Sequence, residues 1–172
     1  MTNHQATGFT HESPKSKSIS WYTPPEVFES LGLIYDLDPC SPGLDESFVP
    51  AIACYTEADD GLSSPWHGLT WVNPPYDNTR AWLQKLASHG NGIALVFART
   101  DTAWFHEAAA KADVICFISG RIRFYAGDLV TRGGTPGSGS MLLAFGTEAA
   151  TAVLQSGLGM CFRHPEPTGN DT

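Results

Sequence analysis

LTWVNPPYDNTRAW, residues 69–82, is the stretch that decides the fold. An apolar run from Leu69 to Val72 breaks off at Asn73-Pro74-Pro75-Tyr76. Neither proline has an N–H to give to a sheet ladder, so a strand must stop there. Three positions on, Trp82, Leu83 and Leu86 line one face of a helix from Thr79 to His89, with Gly90 just beyond it. A strand followed at once by a helix is the first half of a βαβ unit.

The same alternation extends in both directions. Upstream, Thr23-Pro24-Pro25-Glu26 predicts a helix start. Thr23 serves as cap, Pro24 fits the first helical position and Glu26 completes a capping box. Val27, Phe28 and Leu31 form its apolar face and Gly32 ends it. Strands are expected at 33–38 and 51–56. Downstream, GIALVFA (92–98) and DVICFI (113–118) read as strands buried on both faces. Between them a helix runs to Lys111 with Asp101 as its cap. RIRFYA (121–126) alternates like a short edge strand, and TRGGTPGSGS (131–140) reads as a long flexible loop. A strand from Met141, a helix at 147–156 and a last strand, GMCFR, complete the chain. The pattern predicts an α/β fold with a mainly parallel sheet and helices on both faces. Residues 20–164 form the domain, between tails at 1–19 and 165–172.

Composition narrows the function. The 172 residues carry a net charge of −8, from 10 Lys and Arg against 18 Asp and Glu. Such a chain has no global attraction for a phosphate backbone, so any nucleic-acid contact must use a local basic patch. No apolar run is long enough to span a bilayer, and the first residues lack the hydrophobic stretch of a signal peptide. A cytoplasmic location is expected, with a monomer favoured. Cys40, Cys54, Cys116 and Cys161 show no CxxC spacing and read as free thiols. His67, His89 and His106 show no ligand spacing, so no metal is expected.

In a parallel sheet, ligands bind beyond the carboxyl ends of the strands. Two such ends carry unusual chemistry: Asp38-Pro39-Cys40-Ser41 and Asn73-Pro74-Pro75-Tyr76. An amine conjugated to an aromatic ring, such as that of adenine, is a poor nucleophile. Two acceptors for its hydrogens favour a pyramidal nitrogen and localise the lone pair. The Asn73 side chain and the Pro74 carbonyl, held by two locked φ angles, supply such a pair. Tyr76 supplies a face for stacking. A base in a duplex reaches such a pocket only by flipping out.

Asn73-Pro74-Pro75-Tyr76 resembles motif IV of the amino-methyltransferases, written (D/N/S)PP(Y/F/W). WYTPPEVFESLG, YDLDPCSP, YTEADDGLSSPWHGLTWVNPPY, FARTDTAWFH and ISGRIRF follow one another in order. Together, over roughly residues 20–147, they resemble the phage-type DNA N-6-adenine methyltransferase family, a Dam-like group of phages and prophages. The resemblance implies a Rossmann-like fold that uses S-adenosylmethionine to methylate adenine N6 in DNA. The catalytic set it implies is Asn73, Pro74, Pro75 and Tyr76. Thr23, Pro24, Asp38, Pro39, Asp60 and Asn73 would bind the cofactor, with Asp59 an equal alternative to Asp60. Thr23 remains equally a plain cap and Asp60-Gly61 an ordinary turn. Cys40-Ser41-Pro42-Gly43 stands where related enzymes carry a glycine-rich FxGxG. Tyr76, Arg99, Thr100, Arg121 and Arg123 would meet the DNA, and Arg132 is a further candidate for phosphate. Trp66, Trp71, Trp82 and Trp104 read as core or pocket wall. RNA adenine, cytosine N4 and protein glutamine stay open as acceptors, as does a catalytically inactive binding module.

Overall fold

The computed structural model describes residues 21–164; the expected tails, 1–19 and 165–172, lie outside the described residues. Strands β1 (Trp21–Tyr22), β2 (Tyr35–Asp38), β3 (Ala51–Cys54), β4 (Thr70–Val72) and β5 (Gly92–Phe97) come first in the chain. They are followed by β6 (Val114–Ile118), β7 (Tyr125–Ala126), β8 (Ser140–Phe145) and β9 (Gly159–Arg163). The helices are α1 (Pro25–Leu31), α2 (Thr79–His89), α3 (Ala103–Ala109) and α4 (Thr147–Gln155).

Seven strands form one sheet in the order β3-β2-β4-β5-β8-β6-β9. The pairs β2–β3, β2–β4 and β4–β5 are parallel. The other three pairs, β5–β8, β6–β8 and β6–β9, are antiparallel. Five strands therefore point one way, while β8, wedged between β5 and β6, and β9 run against them. From β2 the chain passes outward to β3, then returns to place β4 on the opposite flank of β2. The order reverses between β2 and β4, and the crevice beyond such a reversal is where open α/β sheets bind ligands.

Both faces of the sheet are covered, with side chains alternating between them as the pleat requires. Trp71, Leu95, Leu142 and Ala144 meet α1 and α4 through Val27, Phe28, Leu31 and Val153. Val72, Ala94, Val96, Met141 and Leu143 meet α2 and α3 through Trp82, Leu83, Leu86 and Ala108. Under α1, Phe28 packs edge-on against Trp71 at 4.8 Å and Tyr35 at 6.4 Å between ring centroids.

Several boundaries differ from the sequence expectation. Helix α1 begins one residue later, with Pro24 extended as N-cap and no side-chain cap bond. The Thr23–Glu26 capping box is not formed, because Thr23 is drawn into the sheet's edge crevice and Glu26 pairs with Arg132. Helix α3 is capped by Thr102, not Asp101, since the Thr102 hydroxyl accepts from Phe105 N–H at 3.4 Å and donates to the Arg99 carbonyl at 2.8 Å. In RIRFYA only Tyr125–Ala126 forms a strand, and it pairs with β1 as a separate two-stranded ribbon. The 131–140 loop is tied down at several points. Arg132 bonds Glu26 and lies 4.8 Å over the Tyr125 ring. Asp128 accepts from Val130 and Thr131, and Gly133 N–H donates to Phe124. Ser140 already belongs to β8.

The turn before β4 sets how it enters beside β2. Gly68 has φ +60, and Asp36 Oδ2 beside it accepts the Leu69 N–H at 2.7 Å. A Cβ on Gly68 would fall 2.1 Å from that oxygen. Gly68→Ala should lower stability by about 2–3 kcal/mol through left-handed strain and the lost Asp36 bond. In a chain of this size that is a drop of roughly 4–12 °C in Tm, read by thermal melting.

Candidate active site

The carboxyl ends of β2 and β4 meet at the reversal point. Leu37 stands opposite Thr70; beyond them the polar groups begin at Asp38 on β2 and at Asn73, just past Val72, on β4. The Cys40 thiol donates to the Asn73 carbonyl at 3.4 Å, which ties the two ends together. Beside them, the Tyr55 N–H donates to the Asp38 carbonyl at 2.9 Å and the Tyr55 hydroxyl to Pro65 at 2.8 Å.

Asn73 touches two groups of residues. Its amide nitrogen donates to the Thr23 hydroxyl at 3.4 Å, and Thr23 is buried. That bond points the nitrogen away and leaves the Asn73 side-chain oxygen without a partner among the described residues. The Pro74 carbonyl likewise accepts no bond there. The next carbonyl, Pro75, is committed to Asn78 N–H and the Thr79 hydroxyl at the start of α2. Two consecutive residues thus carry open acceptors where the strand ends.

Both residues line a cavity of about 140 Å³ at the ends of β4 and β5. Tyr76, Thr79, Phe97, Arg99, Thr102, Trp104, Phe124 and Ser140 complete its wall. It is smaller than the roughly 300–1,000 Å³ of a drug-sized site and suits one small planar ring. Tyr76 stacks on Phe97 with centroids 5.0 Å apart and planes 6° from parallel, yet remains 65% exposed. Partial burial raises the Tyr76 phenol above its ordinary pKa, and the Arg99 charge opposes that rise.

On the other side of Asn73 lie the acidic groups. Asp38 is buried, and burial pushes its carboxyl from 3.8 up to about 7; the Cys40 N–H and the Ser41 hydroxyl offset this only in part. Asp60 sits at φ 49 and its carboxylate accepts from the Ser63 hydroxyl at 2.6 Å. The Asp59 carboxylate is taken up by a local capping box with Thr56. The loop carrying these acids is drawn in by the Lys85 ammonium, which donates to the carbonyls of Gly61, Leu62 and Ser64. Trp66 Nε1 adds a bond to the Gly61 carbonyl at 2.7 Å.

Thr23, Asp38, Pro39, Asp60 and the Asn73–Tyr76 set therefore converge on one end of the sheet. The candidate DNA contacts divide. Arg99 lines the cavity, whereas Thr100, Arg121 and Arg123 do not. Arg121 lies against Gly139 beside the start of β8, and Arg123 Nε donates to the Gly133 carbonyl at 3.3 Å. Arg132 is committed to Glu26, so it is no free phosphate ligand. Phe97, Phe124 and Ser140 were not anticipated from sequence, since each reads locally as an ordinary strand or core residue. Trp104 lines the cavity and Trp71 is fully buried, in keeping with wall and core. Among the described residues no group of three or more His, Cys, Asp or Glu side chains is placed to hold a metal, and no helix is long and apolar enough to cross a membrane.

Gly61 is the point where the acidic loop meets β2. A Cβ there would stand 1.9 Å from the Pro39 carbonyl oxygen and 3.0 Å from the Trp82 ring. Gly61→Ala should force the loop off the strand end. Faster amide hydrogen exchange over residues 59–64, with the α2 core still protected, is the expected readout.

No curated protein and no solved structure matches the chain. A family model does match, over residues 10–156. It spans the β2 and β4 ends and the cavity at the ends of β4 and β5, and reaches beyond the 20–147 stretch that the motifs cover. The chain belongs to the DNA N-6-adenine-methyltransferase (Dam) family.

Proposed function

We propose that the protein transfers a methyl group from S-adenosylmethionine to the N6 amine of an adenine flipped out of DNA. The observation that carries this reading is the pair of open acceptors, the Asn73 side-chain oxygen and the Pro74 carbonyl, on the wall of a ring-sized cavity. They match the two hydrogens of an exocyclic amine. Family membership implies adenine N6 in DNA as the acceptor.

The residues at the strand ends fit the cofactor. It carries positive charge, and Asp38 is a buried carboxyl with too few donors to be comfortable as an anion. A cation beside it would restore the ionised form. Thr23, Pro24, Pro39, Asp60 and Asn73 complete the set that would hold it, with Asp59 an equal alternative to Asp60, since each carboxylate accepts within its own turn, from Thr56 and Ser63 respectively. When bound, S-adenosylmethionine supplies a methyl group already activated by a sulfonium.

What remains for the chain is to bind, orient and exclude water. Asn73 and Pro74 accept the two N–H hydrogens and bring the nitrogen lone pair out of conjugation. The two proline rings fix the Pro74 carbonyl, and the Thr23 hydroxyl fixes the Asn73 amide. Tyr76 offers its exposed face to the base. Arg99 sits at the cavity, where it faces a phosphate of the distorted strand, with Thr100, Arg121 and Arg123 further out. The amine loses its proton after transfer, and no metal is needed. A phage or prophage origin and a cytoplasmic site of action accord with the motif resemblance.

Asn73→Ala should cut methyl transfer to DNA by roughly 100- to 1,000-fold, with a much smaller loss of cofactor affinity and a Tm near wild type. Labelled S-adenosylmethionine, unmethylated DNA and nucleoside analysis of the product test this. Robust N6-methyladenine from the variant removes the mechanism. Label in RNA, in cytosine or in protein instead of DNA adenine removes the acceptor assignment, and cofactor binding with no product anywhere points to an inactive binding module.

Asp38 gives a pH signature. Its folded pKa lies above the unfolded value, so the native state holds the extra proton and stability falls as pH rises from about 4 to about 7. Binding of a positive cofactor should release that proton, so affinity rises with pH through the same upper limit. Asp38→Asn should flatten both profiles in chemical denaturation and in calorimetric titration between pH 5 and 8. An unchanged pH slope in the variant would remove Asp38 from the cofactor site.

A further inference from the structure

Three hydroxyl groups besides that of Tyr76 line the cavity. Thr79 Oγ1 donates to the Pro75 and Tyr76 carbonyls, and Thr102 Oγ1 to the Arg99 carbonyl. Ser140 Oγ differs. It is buried, with the residue 3% exposed, and has no hydrogen-bond partner among the described residues. Two other buried side-chain atoms share that condition, Tyr35 OH and Trp71 Nε1, but both belong to the packed core and do not line this cavity. An unpaired buried hydroxyl is costly, and a native structure keeps one where something else completes the bond.

The chemistry of the ring supplies that something. Once Asn73 and Pro74 accept both amine hydrogens, a desolvated adenine still presents acceptor nitrogens, N1 and N7, on either side of the amine. Each needs a donor. Ser140 carries the buried hydroxyl on the cavity wall that has no partner, and it is fixed there by its place as the first residue of β8, directly opposite Phe97 of β5.

We propose that the Ser140 hydroxyl donates to a ring nitrogen beside the amine of the target adenine and so positions the base against Asn73. This rests on the adenine reading above. It gives β8 a part in recognition, through a residue that lies outside the strand-end motifs.

The test uses the full chain and a duplex containing an adenine that the wild type methylates. That adenine is then replaced by its 1-deaza or 7-deaza analogue. Ser140→Ala should melt at or above the wild-type temperature, because an unsatisfied buried group is removed. It should lose roughly ten- to a hundredfold in kcat/KM on adenine. One of the two analogues should cost the wild type a similar factor and cost Ser140→Ala nothing further; which one it is identifies the nitrogen. Full activity in Ser140→Ala, penalties that simply multiply, or a wild type indifferent to both analogues would each overturn the contact. A wild type that makes no N6-methyladenine on any DNA would instead overturn the adenine reading beneath it.

Discussion

The pairing of β2 with β4 is the constraint on which the rest of the molecule depends. Strand β4 is only three residues long, and it is held in register by Asp36 and Leu37 N–H groups donating to the Leu69 carbonyl at 2.8 and 3.3 Å. The Asp36 side chain closes the turn behind it. Because β2 and β4 are neighbours in space but not in sequence, their carboxyl ends bring Asp38 and Asn73 to one crevice. Shift that pairing by one residue and every side chain changes face, with Trp71 and Val72 exchanging sides of the sheet.

An acidic protein in a DNA-modifying family must ration its cations. Arg80 is held bidentate by Glu107, Lys85 by three carbonyls, and Arg132 by Glu26. These three serve the fold. The cations that remain near the cavity are few, Arg99 above all. Backbone attraction of that size implies a shallow dependence of DNA affinity on salt, since each phosphate neutralised contributes about one unit of slope.

How legible was this in the sequence? Where the signal was local, it was read closely. Thr79 and Gly90 bound α2 as expected, because a proline pair precedes it and a glycine closes it. The strand ends carrying Asp38 and Asn73 were placed for the same reason. What escaped was set by distant partners. Thr23 looks like a cap from its neighbours alone, and only the fold shows it 3.4 Å from Asn73, fifty residues away. The β1–β7 ribbon has two residues per strand, too few to show a period. Ser140 looks like the end of a glycine-serine loop, and its role as cavity wall follows only from pairing with Phe97. Asp59 and Asp60 could not be separated by sequence, and in the fold each is engaged in its own turn, with Thr56 and Ser63.

The wedged strand β8 has a consequence for how the molecule comes into being. Strands β5 and β6 follow each other in the chain yet do not touch; β8, drawn from residues 140–145, joins them through both of its edges. The far part of the sheet therefore cannot begin to assemble during synthesis until residue 145 has left the ribosome, and β9 at Gly159–Arg163 completes it later still. Sheets closed by such non-local pairings are slow to form. The cavity wall at Ser140 arrives with the same event, so the candidate active site is among the last features to be completed. A truncated or stalled chain ending before β8 would retain the proline-rich motif and the acidic strand end, but would lack the strand that closes the cavity beside Asn73 and Pro74.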